Sequence, residues 1–163
     1  DMAAIRADFE KFPVDEVPNG AAEDVILNFL AGQGIFTDKN GEVTLSLWGT
    51  GAPLREFLHV SDMADACVFV MENIDFKDLK PVNSMEIRNT HINIGSGKEI
   101  SIRQLSELIQ KVTGFTGKIH FDASKPDGTM RKLMDVSKLE KLGWKSSIEL
   151  EDGMKAVYKT YFA

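Results

Sequence analysis

Two stretches of the sequence set cations beside glycine turns. In "WGTGAPLREFLHV", residues 48–60, Arg55 follows a run of small residues and leads at once into apolar ones. In "KPDGTMRKLMD", residues 125–135, Lys125, Arg131 and Lys132 surround a Pro-Asp-Gly turn. A guanidinium presents a planar fork of donors that fits phosphate oxygens, and an ammonium acts as a compact point charge. The chemistry these types suit is binding of a phosphorylated ligand. Asp127 would accept from its hydroxyl groups, and Trp48 would offer a flat apolar face to a sugar or base. Composition alone leaves the second stretch equally readable as a solvated charge run.

Other residues invite chemistry less well. "INIGSGKEIS" resembles a phosphate loop, but that pattern needs glycine at position 92, which is isoleucine. The stretch reads instead as a strand-to-helix turn whose glycines allow positive φ, with a helix N-terminus beside it that attracts anions in general. His59, His91 and His120 are predicted on separate strands with no second ligand at helical spacing, so no metal set is expected. The single cysteine, Cys67, falls in an apolar helical stretch and is expected to be a buried thiol. No nucleophile elbow is present.

The elements that must carry these residues alternate in period. Helices are predicted over residues 1–12 and 21–32, separated by "PVDEVPNG". "TDKNGE" is a loop, "VTLSLW" a half-buried strand, and "EFLHV" a short strand, with Ser61 as the N-cap of a helix to about Asn73. Residues 74–90 read as a polar connection, "HINIG" as a strand, and Ser101 as the N-cap of an amphipathic helix. "KIHF" is a strand, "DASKPDGTMRK" a loop, and "SKLEKLGW" a short helix stopped by Gly143. A last amphipathic helix uses Met154, Val157, Tyr158 and Tyr161.

This is a mixed α/β chain with too few β-α-β units for a complete doubly wound sheet. Its 163 residues, 43% of them hydrophobic, suffice for a real core. No apolar run is long enough to span a bilayer, no secretory leader pattern opens the chain, and membrane partners are not expected. A net charge of -6 argues against a dedicated nucleic-acid binder. One cysteine fits a reducing compartment, and Asp1 in place of methionine fits a fragment or a processed product.

"WGTGAPLREFLHVSDMADACVFVME", "HINIGSGKEISIRQLSELI" and "FDASKPDGTMRKLMDVSKLEKLGW", in that order, resemble the C-terminal part of the GDP-L-fucose synthase branch of the extended short-chain dehydrogenases. The resemblance covers residues 45–163 and implies a nucleotide-sugar substrate-binding domain without a complete Rossmann domain. Residues 1–44 match poorly and are expected to be a helical insertion or an edge of the missing N-terminal domain.

The resemblance implies an NADP-dependent enzyme that converts GDP-4-keto-6-deoxy-D-mannose to GDP-L-fucose by epimerisation at C3 and C5 and reduction at C4. It further implies that Arg55 and Lys132 hold the GDP pyrophosphate, that Asp127 contacts ribose or sugar, and that Trp48 adjoins the nucleotide sugar. The family's Gly-rich cofactor loop, its Tyr-x-x-x-Lys and its Cys-His acid-base pair find no match. This chain is therefore expected to hold the substrate, to carry no catalytic or NADP-binding residue, and to belong to a cytoplasmic protein that is a homodimer at full length. Two alternatives stay open: another nucleotide-sugar epimerase or dehydratase, and a stand-alone binding module.

Overall fold

The computed structural model describes residues 1–80 and 86–161. Its elements run α1 (Met2–Lys11), α2 (Glu23–Gly32), β1 (Ile35–Thr37), β2 (Val43–Trp48), β3 (Leu54–Glu56), α3 (Val60–Asn73), α4 (Phe76–Leu79) and β4 (Glu99–Ser101). They continue with α5 (Ile102–Thr113), β5 (Lys118–Asp122), β6 (Arg131–Lys132), α6 (Ser137–Lys141) and α7 (Leu150–Tyr161). The chain divides into two compact units, Asp1–Thr50 with Thr116–Pro126, and Gly51–Phe115 with Asp127–Ala163. The boundary expected after residue 44 falls inside β2, and the structural division comes after Thr50.

In the first unit β1, β2 and β5 form a sheet in that order, β1 antiparallel and β5 parallel to β2. β2 and β5 follow the predicted "VTLSLW" and "KIHF". β1 was not predicted; it is the first arm of a hairpin whose turn is the expected Asn40-Gly41 loop. The Asp38 carboxylate accepts from the Asn40 and Glu42 amides and fixes that turn. Gly34 enters the hairpin at φ +83°, where a Cβ would lie 2.6 Å from the Ser46 carbonyl oxygen. Only glycine fits so close a backbone approach. Ile26 of α2 is buried, and the Phe9 and Phe29 rings meet edge to face with centroids 5.7 Å apart.

In the second unit the order is β4-β3-β6, with β4 antiparallel and β6 parallel to β3. Ala66, Leu139 and Trp144 form its core, with Leu58, Phe69, Ile92 and Ile94 packed against them. α6 ends as predicted at Gly143, φ +108°, with the Gly143 amide donating to Glu140 O and the Trp144 amide to Leu139 O. That Schellman closure turns Trp144 inward, where its indole Nε1–H donates to Asp65 Oδ2 at 2.7 Å. One turn earlier on α3, Asp62 is only 4% exposed and accepts from the amides of Ser147 and Ile148 and from the Ser147 hydroxyl. Burial alone would raise the Asp62 pKa, yet the hydrogen bonds from Ile148 and Ser147 together bring it below the usual carboxylate value.

Several expectations need correction here. β3 begins at Leu54, so Arg55 lies inside a strand instead of ahead of one. α3 begins at Val60, and its N-cap is His59, whose Nδ1 accepts from the Ser61 amide. Residues 91–94 lie in no strand: their alternation buries Ile92 and Ile94 in the core, and periodicity reports burial, not pairing. Cys67 is exposed, because Asp62 and Ala66 occupy the inward face of α3. The connection at 74–90 contains α4, opened by an Asp75–Asp78 capping box, while residues 81–85 of it lie outside the described residues. Arg131 and Lys132, expected in a loop, form β6.

Candidate functional site

Arg55 is set in place by what precedes it. Gly49 and Gly51, between β2 and β3, both take positive φ, +82° and +76°. The carbonyls of Gly51 and Pro53 then accept from the Arg103 and Ile102 amides, the first free donors of α5. Ser101, the expected N-cap, takes the Gln104 amide in a capping box. The helix N-terminus is thereby consumed in fixing the turn, and β3 starts from a rigid base.

Across β3 the ladder is explicit: Leu54 pairs with Arg131, and Arg55 with Lys132. Paired residues on adjacent strands point to the same face, and neighbouring strands are about 4.8 Å apart. Arg55 and Lys132 therefore stand side by side on one face, with Leu54, Glu56, Glu99 and Arg131 on the other. On the opposite face the Arg131 charge is paired, Nε donating to Glu99 Oε2 at 2.8 Å. The ion pairs seen among the described residues include Arg131 but neither Arg55 nor Lys132.

The half-buried Arg55 side chain donates through Nη1 to Leu54 O at 2.6 Å. Its Nη2 lies 3.2 Å from where a Cβ of Gly128 would stand, so the bare turn residue lets the guanidinium rest against the backbone. Asp127, half-buried, precedes Gly128 in that turn. The structure thus places Arg55, Lys132 and Asp127 in one unit. Two like charges side by side are unfavourable by themselves; a bridging dianion removes the penalty. The arrangement can bind an anion with two or more separated charged oxygens.

Trp48 belongs to the other unit. It ends β2 opposite Asp122, is 73% exposed, and carries the Lys125 ammonium 5.7 Å from its ring centroid. Asp122 accepts from the Ser124 hydroxyl and amide, which lower its pKa and hold the turn that aims Lys125. A flat, exposed indole beside a cation suits stacking of a sugar or base.

Sequence reading missed the carboxylates that organise these segments. Glu56 Oε1 accepts from the Gly97 amide at 2.6 Å, and Oε2 accepts from the Met134 amide at 3.2 Å. A Cβ on Gly95 would stand 2.5 Å from Oε1. The Gly97 amide of the "GSG" turn is therefore taken by a carboxylate, whose negative charge disfavours a phosphate there. The only signal in the sequence was an acid next to the candidate arginine. His59 is a helix cap, and among the described residues no cluster of His, Cys, Asp or Glu could hold a metal ion. No helix among them is long and apolar enough to cross a membrane.

Residues 11–95 match the model of the NAD dependent epimerase/dehydratase family. Over 122 residues the chain is 50% identical to GDP-L-fucose synthase 1 of Arabidopsis thaliana, a match covering 75% of this chain and 34% of that protein. The crystal structure of a GDP-6-OMe-4-keto-L-xylo-heptose reductase from C. jejuni superposes with a TM-score of 0.83 at 37% identity, covering 99% of this chain and 42% of that one. A Campylobacter jejuni GDP-mannoheptose C4 reductase with NADP bound is 44% identical over 74% of this chain and 35% of its own, with a TM-score of 0.66. The chain spans about a third of the length of the curated relatives it matches.

Proposed function

The chain belongs to the NAD dependent epimerase/dehydratase family, and from that premise we propose that it is the substrate-binding part of a GDP-sugar epimerase-reductase of the GDP-L-fucose synthase type. The observation that carries this reading is the Arg55–Lys132 pair, two cations in register on one strand face. Arg55 grips the diphosphate with its forked donors, and Lys132 neutralises a second oxygen from the neighbouring strand. Asp127 accepts from a hydroxyl of the ribose or sugar. Trp48, in the first unit, offers an exposed apolar face of the kind a sugar or base stacks on.

Binding energy spent on the nucleotide fixes the sugar, which leaves the reacting carbons to groups outside this chain. Epimerisation beside a ketone needs a placed acid and base, and reduction needs a hydride donor. The matched relative with NADP bound supports that cofactor for the intact enzyme. The "GSG" turn does not fit its pyrophosphate, because the Glu56 carboxylate already takes the Gly97 amide. In this reading the intact protein, a cytoplasmic homodimer, takes its NADP-binding and catalytic residues from outside this chain.

A second reading is favoured by the heptose reductase likeness, which covers nearly the whole chain. In it the diphosphate grip is the same and the sugar is a GDP-heptose. Saturation-transfer NMR with GDP-L-fucose and with a GDP-heptose separates the two by which sugar protons receive signal. In both cases GDP should compete. Oxidation of NADPH by this chain in the presence of GDP-4-keto-6-deoxy-D-mannose would contradict the assignment of catalysis to residues elsewhere.

A further inference from the structure

β6 is a weak element that carries an important residue. It has two residues, both exposed, and its neighbours Met130, Leu133 and Met134 are exposed as well. No apolar burial anchors it. Its contacts with the rest of the sheet are the short parallel ladder to β3, the Leu54 amide bond to Met130 O, and two carboxylates on the face opposite Lys132. One is Glu56, through the 3.2 Å bond from the Met134 amide. The other is Glu99 on β4, which reaches past β3 to take Arg131 Nε at 2.8 Å.

We propose that Glu99 is a positioning residue for Lys132: by holding Arg131 on one face of β3 it keeps the neighbouring ammonium on the other, beside Arg55. This rests on the diphosphate reading of that pair. The Glu99 side chain is 20% exposed and Arg131 63%, so the carboxylate is the fixed member and the guanidinium the one that is held. Side chains alternate along a strand, so a slip of one residue would turn Lys132 toward Glu99 and Arg131 toward Arg55. Glu99 favours the arginine, whose planar fork suits a carboxylate, and thereby selects which of two adjacent cations joins Arg55.

Charge and position predict opposite signs for one substitution. Glu99→Gln removes a negative charge near an anion site, which by charge alone strengthens GDP binding. Loss of positioning weakens it. The experiment titrates GDP into the 163-residue chain by NMR, comparing parent, Glu99→Gln, Lys132→Ala and the double variant, with amide exchange of Leu54 measured in each. Glu99→Gln should weaken GDP binding by about two- to fivefold and speed Leu54 exchange by a similar factor, as expected for a partly exposed ion pair. In the Lys132→Ala background it should cause no further weakening. GDP binding that is equal or tighter in Glu99→Gln, or an equal loss in both backgrounds, overturns the proposal. A parent chain that binds no GDP overturns the diphosphate reading instead, and unchanged Leu54 exchange then overturns the role of Glu99 as well.

Discussion

Arg55 and Lys132 are register partners on neighbouring parallel strands, on the face of β3 opposite the Arg131–Glu99 ion pair. Two cations set together on one strand face repel each other, and an anion bound between them relieves that repulsion. Stability and binding should therefore part company at Lys132. Lys132→Met should leave the melting temperature of the free chain unchanged or raise it, because like charges opposite each other are unfavourable. GDP should stabilise the parent and fail to stabilise the variant. Thermal melts followed by circular dichroism, with and without GDP, check both statements.

Glycine at position 95 is predicted to be essential for the Glu56 arrangement. In Gly95→Ala the new methyl stands where the Glu56 carboxylate now sits, 2.5 Å from Oε1. Moving the carboxylate leaves the Gly97 and Met134 amides without their acceptor. A loss of about 1–3 kcal/mol in urea unfolding is expected. Gly95 is not at positive φ, so the loss reports the contact; Gly41→Ala, at φ +81° with open space around it, reports backbone strain alone.

Asp62 should make the chain acid-sensitive. Its folded pKa lies below the ordinary 3.8, through hydrogen bonds that outweigh burial. A depressed carboxylate stabilises the fold fully above its unfolded pKa, and the contribution disappears as pH falls from about 4 through the folded value. Asp62→Asn should cost about 1–3 kcal/mol near neutral pH. The gap between the two proteins should narrow as pH falls below about 3.5. Urea titrations across that range measure it.

NADPH should bind this chain negligibly. The cofactor pyrophosphate needs free backbone amides at a glycine turn that opens a helix. The "GSG" turn gives its Gly97 amide to Glu56, and α5 gives its first amides to Gly51 and Pro53. Calorimetric titration with NADPH should show no heat of binding, and micromolar affinity would show that a cofactor seat exists on this chain.

Much of this was legible in the sequence, and what was not has physical reasons. The α5 cap at Ser101, the stop at Gly143 and the β2 and β5 strands follow from local chemistry: a hydroxyl accepts free amides, glycine accepts positive φ, and alternation marks a half-buried strand. The two cation stretches were legible as residue types, but their meeting in β6 was not, because a two-residue strand has no periodicity and parallel pairing is decided over long sequence separations. "HINIG" misled for the converse reason: its alternating isoleucines fill a core without joining a ladder. Nothing in the sequence marks Asp62 and Asp65 as paired, because their partners come from Trp144 to Ile148, which return along α3 from far down the chain. Trp48 and Arg55 stand seven residues apart in sequence, yet belong to different units.

The most direct test of the account is an isothermal titration of GDP into the chain and into its Arg55→Ala and Lys132→Ala variants, each first shown to be folded. The parent should bind with a Kd of about millimolar, roughly -4 kcal/mol, and each variant should bind about tenfold more weakly, as expected for loss of one charge-assisted contact. GDP affinity unchanged in both folded variants would contradict the assignment of the diphosphate to this strand face.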